Sequence, residues 1–223
     1  SVVLTRCNEF LDSYNFLGVD KDSTVIESMQ KKYEAQANIN FEYIDVCSDN
    51  FEAELRSAME KHSIGGFDLV HISLLLLHLP RPLELLKKLR QFLKPQGQIF
   101  IKDADDTHTR VDPDEQGEYA RIIKMCELYD FTGNRHFAEK IGGLLEEAGY
   151  SNVQKLNTTI STAGLDQKWK KVYWDFYFGE LCYKGMQKMH DKYPENQLYL
   201  CEYEWFKENY ERLFRKFIEE GTR

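Results

Sequence analysis

Four short apolar runs of this 223-residue chain end in side chains that can bind a ligand or transfer a proton. In open α/β sheets, ligands bind beyond the carboxyl ends of parallel strands. If the runs are parallel strands of one sheet, their ends therefore predict a ligand-binding edge. The runs and their side chains are 15–20 with Asp20, 39–46 with Asp45, 67–73 with Ser73 and 98–103 with Asp103.

The two carboxylates suit a nucleoside. Asp20 could accept hydrogen bonds from both hydroxyls of a vicinal diol, such as a ribose, and charge-assisted bonds of this kind are strong. Asp45 could accept a hydrogen bond from an exocyclic amine such as that of adenine. Simpler interpretations stay open, because Asp20 could cap the following helix and Asp45 could be an ordinary turn acid.

Several other side chains near the predicted edge could take part in proton transfer or contact a substrate. His78 follows an apolar strand and is either a catalytic or a structural histidine, whereas Asp103 and Asp105 are either substrate contacts or solvated turn acids. Arg135 and His136 open a predicted helix, where positive charge is unfavourable beside the helix dipole, so they are either substrate contacts or exposed charges. The histidines and cysteines have no metal-ligand spacing, and no metal site is predicted.

Helical and strand-like segments alternate along the first half of the chain, which is typical of a parallel sheet with helices on both faces. Asp22 or Ser23 is expected to cap the first of these helices, with Thr24 and Glu27 as a possible capping box. Further helices are predicted over 112–129, with Asp112 as cap and Pro113 in the first turn, and over 134–149. Between the strands given above, helices are predicted over 22–36, 50–62 and 82–93, and an amphipathic helix is predicted before them over Val3–Tyr14.

The C-terminal part of the chain is rich in aromatic residues. A strand is predicted over 151–162, and helices follow from residue 165 to the end, with a break near 193–196. Two amphipathic helices are expected to bury their aromatic side chains against the sheet and each other, although part of this surface could instead cover the active site. The aromatic residues expected to be buried are Trp169, Tyr173, Phe176, Tyr177, Trp205, Phe206, Tyr210, Phe214 and Phe217.

The amino-acid composition favours some classes of binding partner over others. Of the residues, 42% are hydrophobic, which is enough for a core, and the net charge of −8 disfavours DNA and favours a small-molecule substrate over a macromolecule. Scattered cysteines indicate a reducing compartment, and the absence of a long apolar run or a secretory signal favours a cytoplasmic protein without membrane contact. The sequence does not predict an oligomeric state.

Together these segments resemble the class I S-adenosylmethionine-dependent methyltransferases. The resemblance runs from about Val2 to Thr162, and rests on FLGVDKD, FEYIDV, FAEKIGGLLEEAGYSNV and, most specifically, FDLVHISLLLLHLPRPLELLKKLRQFLKPQGQIFIKD. It implies an α/β fold with a Rossmann-like, mostly parallel sheet and helices on both faces, followed by aromatic-rich C-terminal helices. It also implies a cofactor-binding domain over 1–162 and a helical extension over 163–223.

The resemblance also implies roles for individual residues. Asp20 resembles the acid that binds the ribose of S-adenosylmethionine, with Lys21 lining the adenosine. Asp45 resembles the acid that recognises the adenine amine, and Val46 its apolar neighbour. Ser73 and Leu74 resemble the loop that passes the methionine portion and the sulfonium.

One part of the family pattern is absent from the sequence. The glycine-rich turn after the first strand is missing, and we expect Ser1 to lie just after it, with the preceding residues present in the native protein. A non-catalytic, methyltransferase-like interaction module and a nicotinamide-dependent oxidoreductase are the alternatives. The oxidoreductase would account for Asp20 but not for Asp45 or the Leu-Lys-Pro-x-Gly turn at Leu93–Gly97.

Overall fold

The computed structural model describes residues 14–128 and 133–220. The amphipathic helix predicted over Val3–Tyr14 therefore lies outside the described residues except for Tyr14. The chain forms two compact units, each built from several segments. Of the described residues, the first comprises 14–72, 81–101 and 144–151, and the second comprises 73–80, 102–128, 133–143 and 152–220.

The first unit begins with two parallel strands joined by a helix. Strands β1 (Phe16–Asp20) and β2 (Ile39–Tyr43) pair in parallel, with Asp20 opposite Tyr43, and helix α1 (Ser23–Lys32) connects them. The Asp22 carboxylate caps α1 by accepting from the amides of Thr24 and Val25. Thr24 thus lies inside the helix, and the capping box predicted from Thr24 and Glu27 is wrong.

A small apolar cluster holds this β-α-β segment together. Tyr33 and Ile39 are buried, and Phe16, Met29 and Phe41 pack against them. Gly18 faces the Phe41 ring so closely that a Cβ atom would come within 2.6 Å of it. A glycine is therefore required in the middle of β1.

The rest of the first unit continues the alternation. Helices α2 (Phe51–Lys61) and α3 (Pro82–Arg90) flank strand β3 (Phe67–Ser73), whose bounds agree with the prediction, and strand β4 (Leu93–Lys102) begins five residues before the predicted strand. Within the described residues, the strands form two two-stranded sheets, β1–β2 and β3–β4. This mixture of helices and parallel strands fits the predicted α/β Rossmann-like fold.

The second unit starts its helices later than the sequence predicted. Helix α4 spans Glu118–Leu128, and Asp114 caps it by accepting from the amides of Glu118 and Ala120 at 2.8 Å each. The predicted cap at Asp112 and first turn at Pro113 are wrong, because the helix begins at Glu118 and both residues lie before it.

Two further predictions fail between residues 134 and 162. The predicted long helix is a 3₁₀ turn, Phe137–Lys140, followed by helix α5 (Ile141–Glu147). The strand predicted over 151–162 is absent from the described structure of that segment. Its apolar side chains contact little protein, since Leu156 is 88% exposed and Ile160 63% exposed, so the alternating pattern has no core to face.

Helices dominate the C-terminal residues, as predicted. They are α6 (Gln167–Trp174), a nine-residue π-helix (Asp175–Tyr183), α7 (Lys184–Lys192) and α8 (Gln197–Glu219), with the break at 193–196. π-Helices of this length are rare. None of the helices in the described part of the chain is both long and apolar enough to cross a membrane.

The aromatic residues of these helices pack mainly on α4 and on each other. Tyr177, Phe206 and Phe217 are buried as predicted. Trp169 and Phe176 are not, because they are more than half exposed, while Trp174 and Phe178 are fully buried. The sequence pattern failed here because nearly every position from 172 to 178 is apolar, so the buried face could not be identified.

Candidate functional site

The carboxyl ends of β1 and β2 bring Asp20 and Asp45 to the same end of the first sheet. The Ile44 amide donates to the carbonyl of Asp20 at 3.0 Å, so the chain continues directly from that contact into Asp45. Asp20 is exposed and Asp45 half-buried. This is the local arrangement that the strand-end argument predicted for the two acids.

Asp20 is not the helix cap that the simpler interpretation allowed. Its Oδ1 accepts from the Asp22 amide at 3.0 Å, and the Asp22 side chain caps α1 instead. Within the described part of the chain, Oδ2 of Asp20 receives no hydrogen bond. One carboxylate oxygen is therefore fixed by the backbone while the other is available to a ligand.

Asp45 has the same local geometry. Its Oδ1 accepts from the Cys47 amide at 2.9 Å, which makes it a turn acid, and Oδ2 receives no hydrogen bond from the residues that the structure describes. Lys21 is exposed beside Asp20, and Val46 is half-buried beside Asp45. All four residues belong to the first unit.

Ser73 and Leu74 lie at the end of β3, in the second unit. The Leu74 amide donates to the Lys102 carbonyl at 2.8 Å. Leu74 has a φ of +51° although it is not glycine, and its side chain is 44% exposed. A left-handed leucine costs roughly 1–2 kcal/mol, and such strained residues often lie at functional sites.

The predicted proton-transfer candidates meet where the loops after β3 and β4 lie together in the second unit. Oδ2 of Asp103 accepts from the Leu77 amide at 3.1 Å, and Oδ1 accepts from the Ala104 amide at 2.9 Å. Burial raises the pKa of Asp103, although these two hydrogen bonds and the charges of His78 and Arg135 act in the opposite direction. Asp103 thus holds the loop of the exposed His78 in place.

Arg135 is paired inside the protein rather than exposed. Its Nε donates to Oδ2 of the buried Asp106 at 2.8 Å, and the Tyr177 hydroxyl donates to the same oxygen at 3.2 Å. The Asp106 amide also donates to the Arg135 carbonyl at 2.9 Å. Burial disfavours the charged guanidinium, but the hydrogen bond to Asp106 raises the pKa of Arg135 overall.

Asp105 and His136 are joined by a residue that the sequence interpretation did not single out. Oδ1 of Asp105 lies 2.5 Å from the Thr107 hydroxyl and 3.0 Å from the Thr107 amide, and these bonds lower the pKa of Asp105. The same hydroxyl lies 3.0 Å from Nδ1 of His136. Nε2 of His136 lies 3.6 Å from Oε1 of Glu127.

Asp106, Thr107 and Glu127 are therefore the residues that sequence reasoning missed. A signal for the first two existed, since they belong to the polar run Asp103–Thr109 directly after β4. Glu127 carries no local signal, because only the fold brings it to His136. No group of three or more metal-ligating side chains occurs among the residues that the structure describes.

Comparisons with known proteins identify the family of this chain. Residues 13–155 match the family described as "Methyltransferase domain". Methyltransferase str3 of Strobilurus tenacellus is 31% identical over 104 residues, a stretch that covers 44% of this chain and 37% of that protein. Because the family match spans more than half of the 223 residues, the chain belongs to the methyltransferase domain family, in agreement with its resemblance to the class I enzymes.

Proposed function

We propose that this protein transfers a methyl group from S-adenosylmethionine to a small-molecule acceptor. Family membership supports methyl transfer, and the observation that carries the choice of donor is the hydrogen bond between Ile44 and Asp20. That bond brings two carboxylates to the same end of adjacent parallel strands, and in the described part of the chain each uses only its Oδ1 to accept from a backbone amide. An adenosine offers both of them hydrogen-bond donors.

The proposed roles follow from the chemistry of the two acids. Asp20 accepts from the ribose hydroxyls, and Asp45 accepts from the adenine amine, at roughly 1.5–3 kcal/mol for each charge-assisted bond. Lys21 and Val46 flank the nucleoside. By the family resemblance, Ser73 and Leu74 contact the methionine portion.

Methyl transfer demands mainly positioning from the protein. When bound, the donor supplies an activated methyl group, and the reaction is a displacement with acceptor atom, methyl carbon and sulfur in line. Positioning of this kind can lower the barrier by about 7 kcal/mol or more. An acceptor with a hydroxyl or ammonium group must also lose a proton, which requires a base near the reacting atom.

A small molecule is the preferred acceptor because the net charge of −8 opposes binding to nucleic acid. The cysteines are scattered along the sequence without paired spacing, which favours a reducing compartment, and the cytoplasm is the proposed location. Thermal-shift screening of metabolites in the presence of S-adenosylhomocysteine would identify acceptors, which we expect to raise the Tm.

Calorimetry on the full-length protein tests the proposal. We expect S-adenosylmethionine to bind, and Asp20→Ala to weaken binding at least tenfold. Asp68→Ala is the matched control, because Asp68 is an exposed acid near the start of β3 and pairs with Lys94 on the surface. Equal affinities of Asp20→Ala and wild type would refute the assigned site, and no binding at all would favour the non-catalytic interaction module.

A further inference from the structure

The proton positions in the Asp105–Thr107–His136 series follow from the chemistry of its groups. An ionised carboxylate only accepts hydrogen bonds, so the Thr107 hydroxyl donates to Asp105 across the 2.5 Å contact. The hydroxyl has one proton, and its oxygen must therefore accept from Nδ1 of His136 at 3.0 Å. In the neutral ring the proton consequently resides on Nδ1, and Nε2 carries the lone pair.

The surroundings of Nε2 suit a group that takes up a proton. Nε2 lies 3.6 Å from Oε1 of Glu127, which is longer than a hydrogen bond. The side chains of His136 and Glu127 are 41% and 34% exposed, so an acceptor molecule can approach the ring. Once Nε2 is protonated, the adjacent carboxylate stabilises the imidazolium, because opposite charges at this distance attract.

The loop that carries His136 is fastened at the carboxyl ends of β3 and β4. The Asn134 amide donates to the Leu77 carbonyl at 2.9 Å, and the Asp106 amide donates to the Arg135 carbonyl at 2.9 Å. The His136 amide itself donates to Oδ1 of Asn134 at 3.1 Å. The ring is thus held beside the loops that follow β3 and β4, within the second unit.

We propose that His136 is the general base for methyl transfer to an acceptor with a hydroxyl or ammonium group, an inference that rests on the proposed function. The acceptor's O–H or N–H bond breaks and its proton moves to Nε2. The acceptor's oxygen or nitrogen bonds to the methyl carbon, while the carbon–sulfur bond of the donor breaks and its electron pair goes to sulfur. The imidazolium then releases the proton to water.

In this arrangement Thr107 and Asp105 are positioning residues. They select the tautomer of His136 in the way that a buried hydrogen-bond partner selects the tautomer of a catalytic or metal-binding histidine. Glu127 stabilises the charged product of the proton transfer.

Nitrogen NMR of the histidine rings tests the assignment without any ligand. We expect the neutral His136 ring of the wild type to carry its proton on Nδ1, and the ring of Thr107→Val to shift toward the commoner Nε2–H form. His190 is the internal control, because its Nδ1 contacts the Asp191 carboxylate at 3.0 Å and its tautomer should be the same in both proteins. A wild-type His136 protonated on Nε2, or a tautomer that Thr107→Val does not change, would overturn the proposal.

Calorimetry with S-adenosylmethionine separates this proposal from the proposed function. If the wild type fails to bind the donor, the proposed function fails whatever the NMR spectra show. If His136→Gln binds the donor within twofold of wild type and loses about 10²–10⁴-fold in kcat on an acceptor found by screening, the base is confirmed. An unchanged kcat would overturn it.

Discussion

Arg135 and Asp106 are joined twice, once through their side chains at 2.8 Å and once through the Asp106 amide and the Arg135 carbonyl at 2.9 Å. The guanidinium side chain is 14% exposed and the carboxylate 6% exposed. A charge pair with so little solvent around it links the loop after β4 to the loop before the 3₁₀ turn. It thereby fixes the neighbouring His136 and Thr107.

Removing Arg135 should therefore be costly. Arg135→Ala leaves a buried carboxylate without its counter-charge, and we expect the free energy of unfolding to fall by about 3–5 kcal/mol. Urea unfolding measures the change. Arg110→Ala is the matched control, because Arg110 pairs with Asp112 on the surface and should cost less than about 1 kcal/mol. Equal losses of unfolding free energy in the two variants would show that the buried pair stabilises the protein no more than the surface pair does.

Gly133 contacts the loop after β3, and we expect any larger residue at this position to lower the stability of the protein. It has a φ of +77°, and a Cβ atom there would overlap Leu77 and lie within 2.6 Å of Nδ1 of His78. Gly133→Ala should therefore lower the Tm more than Gly164→Ala, which has a similar φ of +75° but nothing within 4 Å. Differential scanning calorimetry compares the two, and a larger loss for Gly164→Ala would contradict the contact.

The left-handed backbone of Leu74 is expected to lower the stability of the protein and to serve ligand binding. Because asparagine adopts the left-handed conformation more readily than leucine, Leu74→Asn should raise the free energy of unfolding by about 0.5–1 kcal/mol. If the residue contacts the methionine portion of the donor, the same change weakens binding of S-adenosylmethionine. Chemical denaturation and calorimetry measure the two effects. A less stable variant would show that the backbone strain is not relieved.

The ion pair between Glu118 and Arg212 predicts a pH dependence of stability. The hydrogen bonds from Arg212 lower the pKa of Glu118 below its ordinary value of 4.5, despite partial burial. A lowered folded-state pKa means that the stabilisation is complete above pH 4.5 and is lost as the pH falls through the folded-state value.

Glu118→Gln should consequently cost about 1 kcal/mol at pH 7, and this difference from wild type should vanish in acid. Thermal unfolding from pH 7 to pH 3 measures it. Glu180→Gln, which removes an exposed pair with Lys184, is the control and should show little change at either pH. A constant difference between Glu118→Gln and wild type would contradict the lowered pKa.

The strand-end acids could be predicted from the sequence because short apolar runs and helical spacing fix the direction of each strand. The positions of Asp20 and Asp45 at strand ends follow directly from the alternation of strands and helices along the sequence. The contact between His136 and Glu127 could not be predicted, since it depends on how α4 and the loop at 133–136 fold together. The buried face of the C-terminal helices was also unpredictable, because the π-helix shifts the helical period that a pattern assumes.

A crystal structure of the full-length protein with S-adenosylhomocysteine tests the central claim most directly. We predict that the ribose hydroxyls lie within hydrogen-bond distance of the Asp20 carboxylate and the adenine amine within hydrogen-bond distance of the Asp45 carboxylate. A nucleoside bound elsewhere, with both carboxylates facing only water, would contradict the account.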